Sequence, residues 1–241
     1  MKIGVKTYTD EKFLEFFENS ADFFEVQAIQ GKDYSFLKKF SQPIVIHSEH
    51  QLWGVDISDE TKKEFNLKSI NFARKIADSF GAKKIIVHPG GSISDKSIEN
   101  TINFLNEIND ERILIENLPE FWVGSSVENI KEILKKTKVG FCFDLNHAIS
   151  YAVSSKKDIL EIVKEFLKLK PTHFHIGGQK FVNKKEIDHL SLNEFDWDWK
   201  KILSLYPKNA DLTLETTMDI KEVEGDVELI REIISKLPIR K

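Results

Sequence analysis

A short, mostly apolar run followed by a stretch of helical character recurs eight times along this chain of 241 residues. The runs are Lys2–Lys6 (KIGVK), Phe23–Ala28 (FFEVQA), Pro43–His47 (PIVIH), Lys84–His88 (KIIVH), Arg112–Glu116 (RILIE), Val139–Asp144 (VGFCFD), Thr172–Ile176 (THFHI) and Asp211–Glu215 (DLTLE). Strands that alternate with helices imply a parallel sheet, and eight such units in a chain of this length match a closed (β/α)8 barrel. A doubly wound open sheet is the competing architecture. It would announce a glycine-rich phosphate turn after its first strand, and Gly4 alone does not supply one. No Gly/Ser-rich linker or low-complexity tract interrupts the pattern, so residues 1–241 read as a single barrel domain.

The segments between the strands carry helix signals. Thr9 or Asp10 can cap a helix bearing Phe13, Leu14, Phe16 and Phe17. Residues 59–80 place Leu67, Ile70, Ala73, Ala77 and Phe80 on one stripe, with Gly81 as a stop. Ile98, Ile102, Leu105 and Ile108 mark the next helix, and Ser125 with Glu128 has capping-box spacing for the one after. Further helices are expected through Ile159, Val163 and Phe166, from about Asn193 through Trp197 and Trp199, and through Val227, Ile230, Ile233, Ile234 and Leu237.

Composition narrows the class. With 35 Lys and Arg against 39 Asp and Glu, the formal charge of −4 gives no overall basic footprint for nucleic acid. The single cysteine, Cys142, rules out an internal disulfide framework and lies in an apolar strand, which fits a reducing, cytoplasmic setting. No run approaches a membrane span, and the N-terminus enters strand-like sequence at once, with no room for a signal peptide.

In a closed barrel, chemistry sits where the strands end. IVIH ends in His47, IIVH in His88, ILIE in Glu116, FCFD in Asp144 and LTLE in Glu215, while HFHI contains His173 and His175. A carboxylate at the end of a buried strand is costly unless something pairs it; capping the following helix is the plain alternative for Asp144. The seven histidines all fall at expected strand ends or in the loops after them. Convergence of so many ligand-capable residues on one mouth favours a metal centre over a polar, metal-free one.

Imidazoles mixed with carboxylates suit a divalent transition metal, zinc or manganese foremost, with cobalt and iron also compatible. Glu116, Asp144, His175 and Glu215 come from the last four strands and could surround one ion. His47 and His88 could hold a second, with Glu116 bridging. His173 shares a face with His175 one layer deeper and reads as support or core packing. Trp53, Phe121 and Trp122 are expected in loops on the same mouth, where they could stack on a ligand, wall off solvent or meet another copy in a homo-oligomer. Lys180, Lys184 and Lys185 form the local cationic cluster, able to grip a phosphate or simply to be solvated.

At these positions the chain resembles the xylose isomerase-like TIM barrel superfamily, which holds sugar isomerases, sugar and sugar-phosphate epimerases, and endonuclease IV of the AP endonuclease family 2. The matching pieces are IVIH, IIVHPGG, ILIEN, FCFDLNHA, HFHIGG, IDHL and LTLETT, spread over essentially the whole chain. The resemblance implies Glu116, Asp144, His175 and Glu215 as a shared metal set, with the two glutamates moving a substrate proton in the isomerases and epimerases. In the endonuclease it implies a second site of His47, His88 and Glu116, and a third of His147 and His189 with an aspartate, here Asp188.

Three departures separate the chain from the endonuclease pattern. Asp188 and His189 are adjacent rather than one residue apart, so a bend is needed for both to reach one ion. His50 stands where the nuclease has a tyrosine, and Ile-Gly-Gly follows His175 in place of Leu-Asn-Asp. The first loop, Thr7 to Asp10, is also short. The sequence therefore favours a metal-dependent isomerase or epimerase acting on a sugar or sugar phosphate, with Glu116 and Glu215 as the catalytic pair, each keeping one carboxylate oxygen free for the proton. An abasic-site endonuclease binding duplex DNA is the alternative, and a ligand-binding barrel without turnover is the third possibility. His147, Asp188, His189, Lys180, Trp53 and Trp122 are the candidates for substrate contact or additional metal.

Overall fold

A computed structural model describes residues 1–91, 93–183 and 185–236. Eight parallel strands close into a barrel: β1 (Lys2–Thr7), β2 (Phe23–Ala28), β3 (Ile44–Ser48), β4 (Ile85–Val87), β5 (Ile113–Glu116), β6 (Gly140–Asp144), β7 (His173–Ile176) and β10 (Asp211–Leu214). The ring is completed where β1 pairs with β10, Val5 opposite Leu214. Two further strands, β8 (Gly178–Val182) and β9 (Lys185–Leu190), form an antiparallel hairpin outside the barrel. The hairpin carries Lys180 and Lys185 of the expected cationic cluster. Lys184, the third residue of that cluster, lies outside the described residues, as does Leu237 of the last expected helix.

Alternation sorts each strand into two faces. The outward residues, among them Phe24, Val26, Ile46, Ile85, Ile115, Phe143 and Phe174, join one large core with the surrounding helices. The inward residues are layered. Phe23, Val45, Ile86, Leu114 and Cys142 make a separate apolar cluster inside the barrel. Two residues further along the same strands, with the same parity, stand Glu25, His47, His88, Glu116 and Asp144. Gly4 is fixed by this packing, because a Cβ there would lie 2.2 Å from the Phe23 ring. The apolar layer thus plugs the barrel below its polar mouth.

The helices are α1 (Glu11–Phe17), α2 (Lys63–Phe80), α3 (Ser97–Ile108), α4 (Val127–Lys136), α5 (Leu145–Ser154), α6 (Ile159–Leu167), α7 (Trp199–Leu203) and α8 (Ile220–Lys236). Asp10 caps α1 through the Phe13 amide, and Gly81, at φ 67°, ends α2 in the left-handed region as expected. Several expectations need correction. The second unit carries only a 3₁₀ turn, Ser35–Lys39, where a helix was expected. Ser126, not Ser125, caps α4, its side chain accepting from the Asn129 amide. Two helices follow β6, and the helix expected from Asn193 is a 3₁₀ turn followed by the short α7, which includes Trp199 but not Trp197. No described helix is long and apolar enough to cross a membrane.

Candidate metal centre

Strand parity brings the side chains of the mouth together. Glu116, Asp144, His175 and Glu215 offer ligand atoms within 4.8 Å of one another, and so do His47, His88 and Glu116. Glu116 belongs to both groups. Its Oε1 lies 3.3 Å from His175 Nδ1, and its Oε2 lies 3.2 Å from His47 Nε2 and 3.4 Å from His88 Nε2. Glu215 Oε2 approaches the same His175 Nδ1 at 2.9 Å, and Asp144 Oδ2 stands 3.8 Å away.

Asp144 serves both purposes considered for it. Its Oδ1 accepts from the His147 amide at 2.7 Å and caps α5, while Oδ2 faces the cluster. Its position is bracketed by Asn117, whose Oδ1 accepts from the Asp144 amide and whose Nδ2 donates to the Asp144 carbonyl, both at 2.8 Å. His147 sits in the first turn of α5 rather than in a loop. Its Nδ1 meets the Asn117 carbonyl at 2.8 Å and lies 3.5 Å from Glu116 Oε1.

The electrostatics follow from burial. Desolvation works against the Glu116 carboxylate, yet the imidazoles packed around it, His175 foremost, hold it well below the usual carboxylate range. Burial pushes Asp144 up to about 6, with Glu116 and Glu215 adding to the rise against the pull of His147. Burial also drives His88 down to about 4 despite Glu116 beside it. The neutral His88 ring has its Nδ1 2.9 Å from Gln51 Oε1, and Gln51 is oriented by donating Nε2–H to the Gly90 carbonyl at 2.5 Å. That leaves the His88 Nε2 lone pair facing the Glu116 carboxylate, an arrangement that a cation between them would relieve. Glu215 Oε2 is likewise buried without a hydrogen-bond donor of proper geometry. The donor set and these unsatisfied atoms fit a divalent metal with nitrogen and oxygen ligands.

A cavity of about 280 Å³ opens over the cluster. His50, His88, His147, Asp188, His189 and Glu215 line it, with Tyr8, Leu52, Pro119 and Trp122 as its apolar walls. His50 stacks on His88 with ring centroids 4.5 Å apart, and Trp53 meets His50 edge-on at 4.5 Å; Trp53 braces the wall from behind rather than lining it. Asp188 and His189 come from β9, so the hairpin forms one side of the mouth. His189 has φ 55°, a left-handed bend between the adjacent Asp188 and His189. Among the described residues, however, the expected third set of His147, Asp188 and His189 does not converge into a group that could hold an ion. His189 Nδ1 lies 3.1 Å from Asp188 Oδ1 and its Nε2 3.3 Å from Glu215 Oε1. Lys180 points elsewhere: it pairs with Glu194 and does not line the cavity.

Two residues of the centre escaped the sequence reading. Lys6 projects from β1 with its Nζ 2.6 Å from Glu215 Oε1 and 3.7 Å from Glu25 Oε1. It is the one lysine or arginine among the described residues lining the cavity. Glu25, fully buried, accepts hydrogen bonds from His173, His175 and Thr213. Both were legible as charged residues inside otherwise apolar strands. Glu116 and Glu215 were each expected to keep one oxygen free beside an ion; of their four oxygens, Glu215 Oε2 is the one without a hydrogen-bond donor. Lys6 and His189 engage Glu215 Oε1, and histidines face both oxygens of Glu116.

Residues 16–233 match the family described as xylose isomerase-like TIM barrel. The chain belongs to that family. Among xylose isomerase-like barrels of known structure, it is similar to a D-tagatose 3-epimerase-like protein, with 18% identity, a TM-score of 0.78 and 98% of each chain covered. It is as similar to endonuclease IV of Thermus thermophilus, with 18% identity, a TM-score of 0.77 and 98% and 100% of the chains covered. Such likeness establishes the fold. By sequence it is 27% identical over 139 residues to a protein of Staphylococcus carnosus named probable endonuclease 4, an alignment covering 51% of this chain. The alignment spans only about half of that relative's length, 46%.

Proposed function

We propose that this protein is a divalent-metal-dependent isomerase or epimerase of a sugar or sugar phosphate. The observation that carries the reading is the cavity: about 280 Å³, walled by Tyr8, His50, Pro119, Trp122 and the β9 residues Asp188 and His189, directly over the carboxylate–histidine cluster. That volume suits one small polar ligand. Its ionisable lining is four imidazoles and two carboxylates set among apolar walls, with Lys6 as the one ammonium among the described residues, unlike a surface built to track duplex phosphates.

Glu116, Asp144, His175 and Glu215 would hold the ion, and a bound divalent ion would polarise a substrate carbonyl and its neighbouring hydroxyl. Glu116 and Glu215 approach His175 Nδ1 at 3.3 and 2.9 Å, so a substrate held on an ion at that cluster would have a carboxylate on either side of its reacting carbon to take and return a proton. Lys6, on the far oxygen of Glu215, holds that carboxylate in place and stabilises negative charge near it. His50 and Trp122 line the wall of the cavity in which the substrate would sit.

The test is exchange of carbon-bound hydrogen in deuterated water, followed by NMR over a panel of ketoses and ketose phosphates. Glu116→Gln or Glu215→Gln is expected to slow exchange by about 10²- to 10⁴-fold. An endonuclease reading draws on one observation, the second cluster of His47, His88 and Glu116. Wild-type protein that cleaves an abasic duplex and exchanges hydrogen with no sugar of the panel would overturn the isomerase proposal in favour of that second reading.

A further inference from the structure

Beneath the mouth, the two ring nitrogens of His175 face different surroundings. Nδ1 looks up at Glu215, Glu116 and Asp144, at 2.9, 3.3 and 3.8 Å. Nε2 looks down at Glu25 Oε2, 3.0 Å away. Glu25 reaches this point from β2, across the barrel interior, and no part of it is exposed. The same Oε2 accepts from His173 Nε2 at 3.0 Å and from the Thr213 hydroxyl at 2.8 Å. His173 is itself oriented, since Lys84 Nζ lies 3.4 Å from its Nδ1 and also donates to the Thr172 carbonyl at 2.6 Å.

We infer that Glu25 is a positioning residue that holds His175 in the tautomer protonated on Nε2, so that Nδ1 is the nitrogen offered to a cation. The inference rests on the proposed reading of Glu116, Asp144, His175 and Glu215 as the cation's ligands. A neutral imidazole carries one proton, and the atom that accepts it decides which nitrogen keeps a free lone pair. Carboxylates behind metal-bound histidines do this generally, fixing ring orientation and raising ligand basicity. Here the carboxylate is itself locked by three donors, so rotation of the His175 ring would break a buried hydrogen bond and strand Glu25 Oε2 beside an imidazole lone pair.

Glu25, His173 and His175 are close enough to be taken for a third ion site. Hydrogen bonding argues otherwise. Glu25 Oε2 already accepts from His173 Nε2, His175 Nε2 and the Thr213 hydroxyl, so both imidazoles turn a proton rather than a lone pair toward it.

The experiment uses full-length protein loaded with zinc. Nitrogen-15 NMR of the wild type, with the His175 signals assigned from a His175→Gln sample, is expected to show Nε2 protonated and Nδ1 bound to zinc. Protonation on Nδ1 with zinc on Nε2 overturns the inference without any variant at Glu25. Chelator competition then compares Glu25→Gln with the wild type, and about 10- to 100-fold weaker zinc binding is expected, with unchanged stoichiometry. Affinity within twofold of wild type overturns the positioning role alone, and loss of a whole zinc equivalent makes Glu25 a ligand instead. Wild-type protein that takes up no zinc removes the metal reading and this inference with it.

Discussion

The ammonium of Lys6 lies 2.6 Å from Glu215 Oε1, on the oxygen opposite the one that approaches His175. Glu215 is thereby divided between a fixed cation on one side and the proposed ion position on the other. Burial would lower the Lys6 pKa, but Glu215, Glu25 and Glu116 together raise it above the ordinary lysine value, so the charge is permanent. Lys6→Met removes it and leaves Glu215 and Glu25 short of a partner inside the barrel. In chelator the variant is expected to lose on the order of 3 kcal/mol of stability, because breaking a buried pair leaves an uncompensated charge. Zinc should recover part of that loss by taking up Glu215. Equal losses with and without zinc, measured by thermal unfolding, would separate Lys6 from the proposed ion position.

Asp144 allows its two roles to be measured apart. Asp144→Asn keeps an oxygen for the His147 amide, so helix α5 stays capped and stability should remain close to wild type. Asp144→Ala loses the cap and is expected to cost about 1 kcal/mol more. Both remove the carboxylate facing His175 and should abolish stoichiometric binding at the Glu116–Asp144–His175–Glu215 cluster. Full zinc content in purified Asp144→Asn would remove Asp144 from the ligand set.

The barrel and much of its mouth were legible because strand alternation encodes them directly. Placing His47, His88, Glu116, Asp144 and His175 on inward faces needed only the parity set by apolar neighbours such as Ile46, Val87, Ile115 and Phe143. Lys6 and Glu25 obey the same parity, but a charge near the start of a chain reads as solvated until the barrel closes over it. The β8–β9 hairpin was hidden for a different reason. Along β9 exposed and half-buried residues alternate and none is fully buried, so the segment carries no apolar face for sequence periodicity to reveal. The left-handed backbone at His189 is equally silent, since histidine does not announce a positive φ as glycine would.

Asp226 offers a test of electrostatics away from the centre. It lies buried in α8, where Oδ1 accepts from Ser191 Oγ at 2.9 Å and from the Leu192 amide at 3.0 Å, while Oδ2 has no partner. Burial pushes its pKa up to about 6 against those two hydrogen bonds. Folding therefore favours the protonated acid. The resulting stability is fully present below the unfolded value near 3.8 and is lost as pH rises through about 6. Asp226→Asn should raise the melting temperature at pH 8 by about 2–4 °C and change it little at pH 4. A gain of the same size at both pH values would rule out ionisation as the cause.

The number of ions separates the two functional readings most sharply. His47 Nδ1 lies 2.9 Å from the Ser48 carbonyl and His88 Nδ1 2.9 Å from Gln51, so both rings turn Nε2 toward Glu116 Oε2. Two imidazoles prepared in this way and one shared carboxylate form a ready second position, and zinc there would sit roughly 2.0 to 2.2 Å from each ligand. Gln51→Leu removes the acceptor that orients His88 without touching any ligand atom. Zinc titration of wild type is expected to show a tight equivalent for the Glu116–Asp144–His175–Glu215 position and a second, weaker one. In Gln51→Leu the weaker equivalent should fall in affinity by about 10-fold or more, with the tight one unchanged. A single equivalent in wild type, with anomalous diffraction showing no zinc between His47 and His88, would leave a one-ion centre and strengthen the isomerase reading. Two equivalents together with cleavage of an abasic duplex would instead carry the argument to phosphodiester hydrolysis, where a pair of ions bridged by Glu116 has a direct use.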